Sequence, residues 1–312
     1  MGRSIRDFYG EALAELGNRN EKVVVLDADV SSSTKSITFA KAHPERFFNM
    51  GISEANMVAT AAGIASTGKT VFINAFSVFL TSLCYLSTRD QICYGNLDVK
   101  LVGANCGISS ALDGSSHHSL EDISLMRGLA GMHVIVPCDP KSVAWAVNCA
   151  AETPGPVFIR LSRECYPDIY DDCSHLQLGK GITLREGSDA TIFACGIMVH
   201  QALAAADALA KEGISARVVD MYSIKPLDKE LVLKCARETG AVITAEEHSI
   251  YGGLGSAVAE VLAHEGAGVP VEFIGVQDVL TETGDYALLQ EKYGVDAKAI
   301  VKAVKRAMDR KK

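Results

Sequence analysis

The chain has 312 residues, 48% of them apolar and 22% charged, with a formal net charge of −8, which is enough apolar material for the cores of two ordinary domains. The acidic balance, with no Lys/Arg cluster before the tail at 302–312, excludes nucleic acid as a partner, because a phosphate backbone calls for clustered cations. No apolar stretch reaches the length of a membrane span, the first ten residues carry early charges and no apolar h-region, and the nine cysteines show no C-x-x-C pairing. We therefore expect a cytoplasmic chain with free thiols, no zinc and no membrane contact.

Short β-branched runs alternate with Ala-rich stretches, the pattern of parallel α/β architecture. A helix over 5–16 leads to a strand at 23–26, and a helix over 53–66 leads to a strand at 70–73. One long helix is expected over 77–94. A strand at 99–102 opens into a Gly/Ser-rich loop, 103–119, followed by a helix (120–129), a strand (134–136), a helix (141–151) and a strand (157–159). The polar stretch 166–187 contains Pro167, an acidic pair and glycines around Lys180. We place the linker at 173–187, between a first domain, 1–172, and a second, 188–312. The second domain repeats the alternation: strands at 190–194, 216–220, 241–245 and 271–274, with helices over 199–212, 228–238 and 253–264. Two more helices, around 287 and over 298–309, end the chain. The fold class is α/β, two consecutive open and mostly parallel sheets.

Such sheets place ligands at the C-terminal ends of their strands, which draws attention to the loops at 27–34, 74–79 and 103–119 and to the stretch after 159. Glu54 lies outside these loops, in the first turn of a helix; read alone it is a carboxylate favoured by the helix dipole. Phe76 and Phe79, three apart, are expected on one helix face, as core or as a wall. Asp113 and His117 share the Gly/Ser-rich loop, where Asp113 beside Gly114 also suits a turn. His118 is expected at the surface. Arg6 and Arg163, each read alone, are surface ion-pair residues. Glu246, Glu247 and His248 are expected after a strand, as a charged turn at a dimer interface, and Gly252 to Gly255 as a helix start.

The segments His43-Pro44-Glu45-Arg46-Phe47-Phe48 and Gly51-Ile52-Ser53-Glu54-Ala55-Asn56-Met57 resemble the pyrimidine-binding domain of transketolases. Asn74-Ala75-Phe76-Ser77-Val78-Phe79, Asp113-Gly114-Ser115-Ser116-His117 and Arg160-Leu161-Ser162-Arg163 resemble its aromatic segment, D-G-x-[ST]-[HQ] loop and R-x-S-R strand end. The segments 219–228 and 246–255 resemble the family's C-terminal domain. The matches run in the family's order over nearly the whole chain. The resemblance implies a thiamine diphosphate site in which Glu54 hydrogen-bonds N1′ of the pyrimidine and favours the tautomer that makes the cofactor's amino group basic. A largely apolar pocket is expected to raise its pKa for that purpose. It further implies that Phe76 and Phe79 line the pyrimidine and that Asp29 is an acidic position near the cofactor. Asp113 and His117 would face the sugar hydroxyls, with His117 able to move protons, and Arg6, Ser33 and Arg163 would hold the sugar's anionic end. Asn105 departs from the family pattern, which has a His there; Asn donates a hydrogen bond but carries no charge. That points to a branched-sugar phosphate or a sulfonated sugar as alternatives to a pentose phosphate.

The sequence lacks the G-D-G motif with which the family's N-terminal domain holds Mg²⁺ or Ca²⁺ and the diphosphate. The resemblance therefore implies the second subunit of a split transketolase: a partner chain supplies the metal and diphosphate half, and two copies of each chain form a heterotetramer. The activity expected is transfer of a two-carbon ketol unit from a ketose to an aldose. The competing readings are the β subunit of a thiamine-dependent 2-oxo acid dehydrogenase and a non-catalytic orphan subunit.

Overall fold

The computed structural model describes residues 3–311. A β-branched run at Val23–Asp27 forms the strand next to one edge of a seven-stranded sheet. It pairs in parallel with Phe47–Asn49 on one side and Thr70–Phe76 on the other, and the sheet continues through Val99–Ala104, Val157–Arg160 and His133–Ile135. All five residues of Val23–Asp27 are buried, as expected of a strand covered on both faces. Helices Ile5–Arg19 and Pro140–Glu152 cover one face, packing Tyr9, Leu13, Val143 and Val147 onto Phe72 and Ile159. Helix Glu54–Ala65 and helix Asp122–Gly128 cover the other with Met57, Ala61 and Met126. Asp139 starts Pro140–Glu152 with a capping box to Ser142, and Pro140 takes the helical position that needs no N–H.

The second sheet has the order Val271–Val276, Val242–Ser249, Ala190–Ala194, Ala216–Asp220, Ile182–Arg185; the last strand is antiparallel. Thus part of the stretch expected as linker, 173–187, is an edge strand. The second domain also returns a strand to the first: Ser223–Lys225 pairs antiparallel with His133–Ile135 and completes the larger sheet. The apolar core is continuous across the junction, since Val134, Val136, Phe193, Val219, Met221 and Ile224 share one cluster.

The helix expected over 77–94 is broken. Phe79–Leu83 and Thr88–Cys93 are π-helical, with only Tyr85–Ser87 α-helical between them. Thr81 Oγ1 donates back to the Ser77 carbonyl at 2.8 Å and the Tyr94 N–H reaches Arg89, five residues back. Hydroxyls competing for backbone carbonyls favour such widened turns, which concentrate near functional sites.

Candidate active site

At the C-terminal edge of the first sheet a pocket of about 300 Å³ is lined by Arg6, Ser33, Asn105, Asp113 and Arg163, with Phe76 and His117 on one wall. Seven positions singled out from the sequence are thus brought together from five regions of the chain. Arg6, in the first turn of Ile5–Arg19, donates from Nη1 to the Ser33 carbonyl (2.8 Å) and to Asn105 Oδ1 (3.0 Å). Its buried Nε has no hydrogen-bond partner among the described residues, and burial together with nearby Arg163 lowers its pKa. Asn105 directly follows strand Val99–Ala104 with φ +57, a left-handed conformation that Asn tolerates better than most residues. Its carbonyl oxygen is committed to Arg6, which leaves its amide N–H groups as donors to the pocket.

Arg163 Nη1 pairs with Asp113 Oδ2 at 2.9 Å, and both side chains keep more than a third of their surface exposed. His117 sets its ring edge-on to Phe79 (centroids 5.3 Å apart) and to Phe76 (6.1 Å), while its Nδ1 meets Ser116 Oγ at 3.0 Å. The two phenyl rings lie 6.3 Å apart. They do not share a helix face as expected: Phe76 ends strand Thr70–Phe76 and Phe79 begins the π-helical turn. Ser32 and Lys35 also line the pocket and were not anticipated; the Ser31-Ser32-Ser33 run ahead of a cation was the available signal. Lys35 ion-pairs with Asp7 at 3.2 Å. Three cations against one carboxylate make the pocket a place for an anion.

Three expected site residues lie outside this pocket. Phe79 adjoins it through His117. Asp29 is exposed, with φ +64, and its Oδ1 accepts from Asn49 Nδ2 at 2.7 Å. Glu54 begins helix Glu54–Ala65, half-buried, and its carboxylate has no hydrogen-bond or ion-pair partner among the described residues. Ser53 gives no side-chain cap to that helix. The apolar enclosure expected around Glu54 is not closed by this chain: nearby Ile52, Leu83 and Leu86 are 83%, 68% and 65% exposed. Beneath it, burial and then the charge of Glu54 push the Cys84 thiol up to about 12.

Two expectations are corrected. His118 is not a surface residue; it is buried and its Nδ1 meets Thr281 Oγ1 of the second domain at 2.6 Å. Glu246, Glu247 and His248 do not form the charged turn expected after a strand. All three are buried within Val242–Ser249 and consumed by contacts inside the chain. Glu246 accepts from Leu254 N (2.7 Å) and Gly255 N (2.8 Å), so it satisfies the start of helix Leu254–His264 where Gly252 to Gly255 had been expected to begin one. Glu247 Oε1 accepts from Tyr286 at 2.7 Å, and His248 Nε2 accepts from Ser124 N at 3.3 Å. Arg160 is fixed at the same junction by Asp122 (2.9 Å) and by the Glu247 carbonyl (2.8 Å).

The family description "Transketolase, pyrimidine binding domain" matches residues 2–168, and "Transketolase, C-terminal domain" matches residues 179–300. The chain belongs to the transketolase family. It is 42% identical to a putative transketolase C-terminal section of Methanocaldococcus jannaschii, covering 98% of this chain and 96% of that protein. It is 41% identical to the 6-deoxy-6-sulfo-D-fructose transketolase subunit of a Clostridium strain, MSTE9, over 98% of this chain and 95% of that one. Among solved structures, one described as a split gene transketolase, inactive beta4 tetramer, superposes with a TM-score of 0.91 at 48% identity over 100% of both chains. As a transketolase C-terminal section, the chain pairs an open, cationic sheet edge in its pyrimidine-binding domain with a closed edge in its C-terminal domain.

Among the described residues no group of three or more His, Cys, Asp or Glu is placed to hold a metal, and no helix is long and apolar enough to cross a membrane.

Proposed function

We propose that this chain is the pyrimidine-holding subunit of a two-chain transketolase that moves a two-carbon ketol unit from an anionic ketose to an aldose. The observation that carries the reading is the convergence of Arg6, Asn105, Asp113, His117 and Arg163 in one cationic pocket beside the Phe76–Phe79 pair. The residues present fit thiamine diphosphate. An unpartnered, half-buried carboxylate at Glu54 can share a proton with a pyrimidine nitrogen, and two half-buried phenyl rings offer apolar faces to a flat heterocycle. When bound, the cofactor supplies the carbanion chemistry that breaks and remakes the carbon–carbon bond.

The chain's own residues do the rest. Glu54 holds or gives up the proton at the pyrimidine, and Phe76 and Phe79 keep water from the ring. Asp29 would be an acidic residue near the cofactor. His117 moves a proton at a sugar hydroxyl, and Asp113 orients that sugar. Arg6, Arg163, Ser33 and the Asn105 amide grip the anionic end. Asn105 replaces the family's His with a neutral donor, which favours a branched-sugar phosphate or a sulfonated sugar; the sulfofructose transketolase subunit among its relatives supports that choice.

The partner is a chain carrying the G-D-G diphosphate-binding domain, with its oxygen ligands around Mg²⁺ or Ca²⁺. The assembly is a heterotetramer with two copies of each. The relative described as an inactive beta4 tetramer supports the need for that second chain. The nine free cysteines suit a reducing, cytoplasmic setting. The relatives are transketolase subunits, which leaves the 2-oxo acid dehydrogenase reading without support.

The test is ketol transfer by this chain mixed with its partner, thiamine diphosphate and Mg²⁺, using fructose 6-phosphate and 6-deoxy-6-sulfofructose as donors. Each chain alone serves as control. Activity confined to the mixture is expected. A mixture that binds cofactor yet transfers from neither donor sinks the reading.

A further inference from the structure

Residues 277–283 belong to the connection, 277–285, that joins strand Val271–Val276 to helix Tyr286–Tyr293 without regular structure. Along this run every residue is exposed except Thr281, which is 6% exposed, while its neighbour Leu280 is 87% exposed. Hydrophobic burial alone would place the leucine inside and the threonine out. The run is therefore organised around the threonine hydroxyl, which meets Nδ1 of buried His118 at 2.6 Å.

His118 belongs to the loop that carries the candidate sugar-binding residues. Gly114 accepts backbone hydrogen bonds from both His117 (2.9 Å) and His118 (3.2 Å), a tight turn that sends adjacent side chains apart. His117 goes to Phe76 and Phe79, and His118 goes to the second domain. Two further contacts come from the same side. The Gly284 N–H donates to the Ala111 carbonyl at 3.4 Å, and a side chain on Gly114 would collide with the Thr283 hydroxyl. Burial lowers the pKa of His118, which disfavours its charged form at the joint.

We propose that the second domain positions the substrate loop, with Thr281 acting through His118 to fix residues 113–117 so that Asp113 meets Arg163 and His117 stands over Phe76 and Phe79. Thr281 and His118 are positioning residues; neither lines the pocket. The kinetic consequence rests on the ketol-transfer reading given above, whereas the structural consequence does not.

The experiment compares Thr281→Val, which keeps the shape and removes the hydroxyl, with Thr281→Ser, which keeps the hydroxyl. Amide hydrogen exchange is followed on the full chain, and ketol transfer on the mixture with its partner. In Thr281→Val, exchange at 113–119 is expected to quicken about fivefold or more, with the first domain's strands unchanged. KM for the ketose is expected to rise about tenfold, with kcat within about threefold. Thr281→Ser is expected to match the parent in both. Unchanged exchange in Thr281→Val overturns the proposal, as does faster exchange with KM unmoved. Failure of the functional reading looks different: an inactive parent mixture, with the exchange comparison still able to show whether the loop is held.

Discussion

The two sheets of this chain end alike in sequence and differently in chemistry. Both are mostly parallel, and both carry ionisable residues at the C-terminal ends of their strands, where α/β proteins bind ligands. In the first, Arg6, Asp113, Arg163 and His117 face a pocket, and Glu54 has no partner among the described residues. In the second, Glu246, Glu247 and His248 are spent: one satisfies a helix start, one receives a tyrosine hydroxyl, and one receives a backbone N–H of the first domain. The same location makes a site where nothing in the chain covers it, and a joint where the neighbouring domain does. Most polar groups at the joint are satisfied internally because burial without partners is costly, although Glu247 Oε2 and His118 Nε2 find none among the described residues; at the site, more capacity is left over.

The comparison breaks most visibly at Glu54. Glu54→Ala is expected to lower ketol transfer by the two-chain mixture about 100- to 1,000-fold with little change in melting temperature, since no contact of the carboxylate is lost. Activity within about threefold of the parent would mean that the open edge does not hold the chemistry. At the joint the order reverses. Arg160→Met strands Asp122, fully buried and paired to it at 2.9 Å, and should cost ~3–5 kcal/mol of folding stability in urea unfolding. A loss below about 1 kcal/mol would show that the joint tolerates an unpaired carboxylate.

The smallest effect sharpens the contrast through pH. Burial pushes Glu247 up to about 8, and its Oε2 has no partner among the described residues. An unfolded glutamate titrates near ~4.3. Between those values the unfolded chain has released a proton that the folded chain keeps, so stability falls as pH rises through this window. Glu247→Gln removes that dependence, and the drop in unfolding free energy from pH 5 to pH 6.5 should shrink by ~2 kcal/mol. Asp220, buried and raised to about 7, contributes a drop of the same sign that the variant keeps. Parallel pH profiles for parent and variant would remove Glu247 from the account.

The alternation of strands and helices was legible because β-branched runs and Ala-rich stretches each carry their own period. The pocket residues were legible through family motifs that stay collinear along the chain. What escaped was set by partners distant in sequence. His117 and His118 are chemically identical neighbours, and only the Gly114 turn and Thr281, 163 positions away, separate their fates. Glu246, Glu247 and His248 read as surface because charged residues are seldom fully buried; Tyr286, Ser124 and the start of helix Leu254–His264 reverse that. The break in 77–94 turned on hydroxyls that a helical apolar pattern does not register.

The return of Ser223–Lys225 to the far edge of the first sheet has a practical side. A fragment truncated at the apparent domain boundary would lose its outermost strand and leave the backbone of His133–Ile135 unpaired along one side. A bare edge of that kind is a template for adding strands from other molecules. The first domain is thus sealed on that side by chain made after it, and a piece that carries this edge protection must reach at least Lys225.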